Sequence, residues 1–284
     1  MPRLTTIGAA LALGRAAKLD SPSTSLAAQV LLARLLGVAR PWLLAHPEAA
    51  LAAEAARAYT EQIARLAAGE PLAYLTGEQE FYGLTFAVSP QVLIPRPETE
   101  LLVDEARAIL GVHTPPERLR VAEVGTGSGC IAVALAVMVP RLSLVATEIA
   151  PGALGVAKTN AQRHGVVERI WFVRTDLMAA LARGLDLVCA NLPYLPTRVL
   201  AGLAVAQHEP LRALDGGPDG LELIRRMLAQ ARARINPGGT LLLEIEETHG
   251  PAACALAQQA FPRAALSLRK DLSGRDRLLR IDLP

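Results

Sequence analysis

Up to about residue 70 the apolar positions recur at helical spacing, and no alternating strand pattern interrupts them. Residues 26–36 read as one helix, capped by Ser25 and ended by Gly37. Residues 51–67 read as an alanine-rich second helix with Glu54, Arg57 and Arg65 on polar faces. A small helical bundle follows from that pattern. From Gly69 the character changes. Residues 81–88 are rich in aromatic and β-favouring side chains around Gly83, which predicts a hairpin. Pro95 and Pro97 stiffen the next connection, and Thr99 or its flanking glutamates suit the start of a helix through residues 101–103. Beyond that point short apolar runs alternate with helical patterns. Strands are predicted at 119–124, 142–147, 170–174, 187–190 and 240–245, with two more near 266–269 and 277–281. Helices are predicted at 130–139, from Pro151 onward, at 221–235 up to Asn236-Pro237-Gly238-Gly239, and at 251–260. Such alternation is the pattern of an α/β fold with a doubly wound parallel sheet. The expected organisation is a helical bundle over residues 1–72, a hairpin linker over 73–100 and an α/β domain over 101–284.

Composition narrows the setting more than the chemistry. The 284 residues suffice for a substantial core, 51% are apolar, and the net charge of +2 announces neither a nucleic-acid nor a membrane-surface protein. The three cysteines, Cys130, Cys189 and Cys254, are dispersed in apolar segments and form neither a disulfide framework nor a zinc cluster. The five histidines show no metal-ligand spacing. Residues 130–139, the longest apolar run, are too few to span a bilayer. Residues 7–13 faintly imitate an export signal, but Arg15 and Lys18 follow and no cleavage pattern is completed. A cytoplasmic protein is expected.

The chemistry gathers at strand ends. The apolar run ending at Ala190 meets Asn191-Leu192-Pro193-Tyr194, where proline stops the ladder and the chain leaves the sheet at its carboxyl edge, the ligand-binding edge of such sheets. The Asn191 oxygen and the carbonyls flanking Pro193 are acceptors, and Pro193 has no N–H. An –NH2 group entering this turn can donate to them while the Tyr194 ring stacks on the plane that carries it. Amide nitrogens are poor nucleophiles because their lone pair is delocalised. Acceptors that favour a pyramidal nitrogen therefore stabilise the transition state over the ground state. Earlier in the chain, Gly125-Thr126-Gly127-Ser128-Gly129 links a strand to a helix and admits a ligand close to the backbone. No P-loop lysine follows, and Cys130 stands where a dinucleotide fingerprint wants glycine, so an NAD oxidoreductase is disfavoured. A nucleoside without a pyrophosphate, such as S-adenosylmethionine, suits the loop. Glu148, about 20 residues on, can accept from ribose hydroxyls. Asp176, at the next strand end, can accept from an adenine amino group. Arg96 and Glu98 are candidates to line a cleft between the domains, and residues 195–220 form a long irregular connection of the kind that builds lids or binding elements.

Taken together these motifs closely resemble the PrmC/HemK family of protein-(glutamine-N5) methyltransferases. The resemblance is carried by Gly69-Glu70-Pro71-Leu72-Ala73-Tyr74, Phe81-Tyr82-Gly83, the stretch from Val92 to Glu100, the glycine loop, the Asn191 turn, residues 209–220 and residues 271–277. It implies a five-helix N-terminal bundle, a hairpin linker and a seven-stranded class I (Rossmann-like) methyltransferase domain whose last strand is antiparallel. It also implies methyl transfer from S-adenosylmethionine, without a metal, to the glutamine of the Gly-Gly-Gln motif in class 1 peptide chain release factors, by a monomer whose bundle recognises the release factor. By position, Gly125, Thr126, Gly127, Ser128 and Gly129 would hold the methionine end of the cofactor, with Glu148 on the ribose and Asp176 and Leu177 at the adenine. Asn191, Leu192, Pro193 and Tyr194 would bind the glutamine amide. Leu192 replaces the usual proline, Glu148 a common aspartate, Leu177 a frequent aromatic, and Glu246 and His249 the glycine and glutamine of many relatives. Rival readings are a ribosomal-protein glutamine methyltransferase, an N6-adenine methyltransferase, and a non-catalytic binding protein of the same fold. The Arg-Pro-Glu-Thr-Glu segment and near-neutral charge weigh against a nucleic-acid substrate.

Overall fold

The computed structural model describes residues 4–17, 23–112 and 119–284, so Lys18 lies outside the described residues. The chain divides into two units, Met1–Glu78 and Gln79–Pro284. Among the described residues the first unit contains five helices: α1 (Ile7–Ala16), α2 (Ser23–Leu36), α3 (Arg40–Ala45), α4 (Ala53–Ala67) and α5 (Leu72–Thr76). Thr6 caps α1, its hydroxyl accepting from the Ala9 N–H at 3.2 Å. Ser25 is not a cap. The helix already begins at Ser23, and the Ser25 hydroxyl lies within it, accepting from the Gln29 side chain at 3.4 Å. Gly37 does end α2, at φ +65°, which suits a residue without Cβ. Ile7, Leu31, Leu32, Leu43, Tyr59 and Ile63 fill the bundle core. Gly14 lets α1 and α2 approach, since a Cβ there would lie 2.5 Å from that of Ala28. The Tyr59 hydroxyl donates to the Ala28 carbonyl at 3.3 Å, and burial pushes its pKa up to about 12.

The second unit takes in residues 79–100 together with the α/β fold rather than leaving them as a separate linker. Its hairpin, β1 (Glu78–Phe81) and β2 (Leu84–Ala87), turns through Tyr82 and Gly83, both at positive φ. Phe81 and Phe86 point into the core beneath α6 (Glu100–Val112). The parallel strands β3 (Val121–Val124), β4 (Leu144–Glu148), β5 (Ile170–Arg174), β6 (Leu185–Ala190) and β7 (Ile235–Glu244) alternate with α7 (Cys130–Met138), α8 (Pro151–Arg163), the single-turn α9 (Thr197–Leu200) and α10 (Glu222–Ala231). After α11 (Gly250–Ala260) come β8 (Ala265–Lys270) and β9 (Asp276–Asp282). The seven strands lie in the order β5-β4-β3-β6-β7-β9-β8, and β9 runs antiparallel to both its neighbours. Side chains alternate across the sheet. Val121, Leu187 and Cys189 join one core with α6 and α7, while Ala122, Val124, Val188 and Ala190 join the other with α10 and α11.

The end of α10 also departs from the predicted boundary. The α10 helix stops at Ala231, and the Asn-Pro-Gly-Gly stretch expected to terminate it lies inside β7. Ile235 pairs with Leu185 across a bulge, and the Asn236 side chain donates to Asp186 at 2.7 Å, so the sheet captures residues that the helical pattern had claimed.

Two buried polar residues tie these layers together. Asn160 of α8 accepts from the Ala87 N–H at 2.7 Å and donates to the Ala87 carbonyl at 3.0 Å and the Ser128 carbonyl at 2.8 Å, joining the hairpin to the glycine loop. Glu123 of β3 accepts from the Thr126 hydroxyl at 2.5 Å and the Ala132 N–H at 3.1 Å, both through Oε2, while its buried Oε1 has no hydrogen-bond partner. Burial pushes the Glu123 pKa up to about 8 against the lowering effect of those donors. Asn160→Ala strands three backbone groups and should cost on the order of 3 kcal/mol in urea unfolding. The Glu123 pKa is raised on folding, so its contribution to stability is full below the ordinary glutamate pKa and is lost as pH rises through about 8. Glu123→Gln should therefore flatten the fall of Tm with rising pH, measured from pH 5 to 8.5 by calorimetry; an unchanged slope would mean that Glu123 does not hold its proton in the fold.

Candidate functional site

The chain returns across the sheet after β5, so β6 lies against β3 on the side away from β4. At that reversal the loops leaving β3 and β6 open a crevice, the usual ligand position of such folds. A cavity of about 540 Å³ occupies it. The wall is formed by Gly125, Thr126, Gly127, Ser128, Glu148, Asp176, Leu177, Asn191, Leu192 and Pro193, together with Arg96 and Thr99 before α6 and Pro210, Leu211 and Arg212 from the long connection. Ten of the twelve residues expected to bind cofactor or substrate thus share one wall. Arg96 lines this cavity, which is formed within the second unit, and Glu98 is not among the lining residues.

Each side of the cavity has its own chemistry. The glycine loop turns through φ +77° at Gly125 and +53° at Gly127, and a Cβ on Gly127 would meet nothing nearer than the Gly125 carbonyl oxygen at 4.0 Å. Glu148 is held by three backbone donors: Oε2 accepts from Gly127 at 3.1 Å, and Oε1 accepts from Ile149 at 2.8 Å and Ala150 at 2.9 Å. Asp176 pairs through Oδ2 with the Arg226 guanidinium. Both groups of that pair are well exposed, which makes the pairing weak and exchangeable. Leu177 turns the chain at φ +51° into the core, where Met178 N–H donates to Gln230 at 2.9 Å.

Beside the loop stands the Asn191 turn. The Asn191 amide nitrogen donates to the Thr99 hydroxyl at 3.0 Å, which leaves its oxygen as the group the side chain offers to the cavity. Leu192 is buried, with Cδ2 only 3.1 Å from where a Cβ on Gly125 would be. Residues 209–220 wrap behind the turn. Leu195 N–H donates to the Leu214 carbonyl at 3.0 Å and Gly216 N–H to the Leu195 carbonyl at 2.8 Å. A side chain at Gly220 would come within 2.3 Å of the Tyr194 carbonyl oxygen. Glu209, 5% exposed, anchors this wrap by accepting from the Ile94 N–H at 3.0 Å and from the Arg96 guanidinium. The long connection is thus pinned at both of its faces.

Two expected site residues stand off the cavity wall. Gly129 faces α8, where a Cβ would be 3.1 Å from Ala157, so its role here is to let that helix pack against the loop. Tyr194 is half-buried beside Glu244 and Arg277, and burial followed by the Glu244 charge pushes its hydroxyl pKa up to about 12. The Thr99 contact and the buried carboxylates Glu123, Glu209 and Glu244 were not singled out from the sequence. Glu244 ends an apolar strand as Glu148 does, and that shared position was the available signal.

Two family profiles match the chain, one described as PrmC N-terminal domain over residues 9–77 and one as Methyltransferase small domain over residues 99–207. The release factor glutamine methyltransferase of Moorella thermoacetica is 46% identical over 255 residues, covering 89% of each chain. That of Deinococcus radiodurans is 36% identical over 275 residues, covering 95% of each. In fold the chain is similar to the hMettl16 catalytic domain, with a TM-score of 0.55 at 17% identity over 80% of this chain and 81% of that one. It is also similar to a Thermus thermophilus 16S rRNA N2 G1207 methyltransferase, with a TM-score of 0.51 at 19% identity over 73% of this chain and 50% of that one. At those identities the structural likeness is one of fold alone. The sequence relatives go further, spanning nearly the whole chain at both ends, and on them the chain belongs to the release factor glutamine methyltransferase family.

Proposed function

We propose that this protein transfers a methyl group from S-adenosylmethionine to the side-chain amide nitrogen (N5) of the glutamine in the Gly-Gly-Gln motif of class 1 peptide chain release factors. The observation that carries the reading is the Asn191 amide, tied by its nitrogen to Thr99 and set on the same cavity wall as the glycine loop and Glu148. The residues present fit the cofactor. The cavity lies within the roughly 300–1,000 Å³ range of small-molecule sites. The open face of Gly127 admits a ligand to the backbone, and Glu148, with three of its roughly four acceptor positions taken by backbone donors, can still accept from a ribose. Thr126 and Ser128 would border the methionine end, with Asp176 and Leu177 at the adenine. When bound, the cofactor supplies an electrophilic methyl group on a sulfonium.

The chain's own residues then act on the acceptor. The Asn191 oxygen and the carbonyls flanking Pro193 accept the two hydrogens of the glutamine –NH2. Because those acceptors favour a pyramidal nitrogen, they lend it the lone pair that resonance otherwise withholds, and they do so most strongly in the transition state. Alignment of the two reacting groups supplies much of the remaining acceleration. Tyr194, off the cavity wall beside Glu244 and Arg277, backs the turn rather than the bound amide. The N-terminal bundle, which shows no catalytic constellation among its described residues, serves recognition of the release factor.

Calorimetry should give S-adenosylmethionine binding to the purified protein, and Glu148→Ala should weaken it by about tenfold or more through loss of a charge-assisted hydrogen bond. Asn191→Ala should bind the cofactor within a few-fold of wild type but lose on the order of 100-fold in transfer rate. The acceptor is tested with labelled cofactor and a release factor beside its Gln→Glu variant at the Gly-Gly-Gln site. Label on the first and none on the second is expected, and equal label on both would point to another acceptor.

A further inference from the structure

An asparagine side chain is nearly symmetric in shape, so something must decide which end of Asn191 faces the cavity. The oxygen is the useful end, since the nitrogen would set a donor against the donors of an incoming –NH2. The Asn191 amide donates to Thr99 at 3.0 Å, and a hydroxyl that accepts there still has its own hydrogen to place. Beside both stands Glu244, the last residue of β7, 2% exposed, with Oε2 lacking any hydrogen-bond partner. Leu243 pairs with Ala190, which sets the carboxylate alongside the start of the turn.

We propose that Glu244 is a positioning residue for the transfer, acting through Thr99 to orient the Asn191 amide, and that a proton on Glu244 reverses this orientation. The proposal rests on the reading of the substrate given above. An ionised carboxylate can only accept. It therefore takes the Thr99 hydrogen, Thr99 takes the Asn191 hydrogen, and the Asn191 oxygen is left to the cavity. A protonated Glu244 can donate instead. Thr99 then turns its hydrogen towards Asn191, which answers with its oxygen and sends its –NH2 into the cavity, where it opposes the substrate amide.

The neighbours of Glu244 set where this exchange falls. Burial favours the protonated acid most strongly, and Glu98 adds to it. The Thr99 hydroxyl, Arg277 on β9 and, least, the Asn191 amide favour the carboxylate. Tyr194 and the Cys130 thiol also feel the Glu244 charge. The outcome is a pKa pushed up to about 7. At that value the carboxylate and the acid are both well populated near neutrality.

Kinetics and a substrate-free measurement test the idea together. In wild type, kcat for release-factor methylation should fall by up to about tenfold per pH unit below about 7, while the cofactor KM stays nearly constant. Glu244→Ala and Thr99→Val should each lower kcat on the order of tenfold or more without comparable change in the cofactor KM. Glu244→Gln, which like the protonated acid can donate to Thr99 at every pH, should stay near the low rate that wild type shows at acid pH and show no acid limb; Thr99→Ser should restore the rate lost in Thr99→Val. Carbon-13 NMR of labelled glutamate carboxyls, with Glu244 assigned by its absence in Glu244→Gln, should show its pKa rising in Thr99→Val as a donor to the carboxylate is lost. An acid limb that persists in Glu244→Gln, or a Glu244 titration unmoved in Thr99→Val, overturns the proposal even if the release factor is methylated. Absence of transfer to the release factor by wild type at pH 8 would instead refute the substrate reading, and the NMR titration would still decide whether Thr99 and Glu244 are coupled.

Discussion

The contact between the loops leaving β3 and β6 is the constraint on which the site depends. Val124 pairs with Ala190, so the next residues of both strands must diverge within one strand spacing of each other. They can do so because one of them is Gly125, which has no side chain where Leu192 closes in. That close approach brings the loop bordered by Glu148 and the turn bordered by Asn191 together to line one cavity. Neither loop could shift without disturbing Leu192, which is buried in the core shared with α10 and α11.

Polar groups inside the fold work in the same direction. Asn160 ties the hairpin to the back of the glycine loop, and Glu123 ties the start of that loop to α7. Glu209 holds the stretch before α6 against the connection that wraps behind the turn. Burying a carboxylate is expensive unless donors surround it. Glu123 spends its acceptors on a backbone N–H and a threonine hydroxyl and Glu209 on a backbone N–H and the Arg96 guanidinium, all framing the cavity. The raised pKa of Glu123 records the part of the cost left uncompensated.

Much of this was visible in the chain before folding, wherever the chemistry is local. Tyr82-Gly83 specifies its own turn, the glycines of 125–129 specify a sharp exit from a strand, and Pro193 stops β6 beside Asn191. Contacts between distant residues were not visible. Thr99 reads as a helix start, and nothing in its surroundings says that Asn191, 92 positions later, will donate to it. Glu244 reads as the end of an apolar strand until β9 and the Asn191 turn are placed around it. Competition between two valid local signals misled in one place: Pro237-Gly238-Gly239 is good helix-stopping chemistry, yet β6 supplies a pairing partner that draws Ile235 and Asn236 into the sheet. Ser25 erred for a simpler reason, since the helix is already under way at Ser23, two residues earlier.

Under the proposed function, the three amides already bound to Glu148 would give nucleoside recognition at that carboxylate the character of an exchange. A diol arriving there either takes the one remaining lone pair or displaces an N–H that must then find water or another acceptor. The carboxylate would therefore both hold the ribose and select for a diol able to use its last acceptor position or release a backbone amide. A sugar lacking one hydroxyl would leave the Gly127 N–H in place and the loop as it stands, so discrimination falls on the geometry of the glycine backbone as much as on the acid beside it.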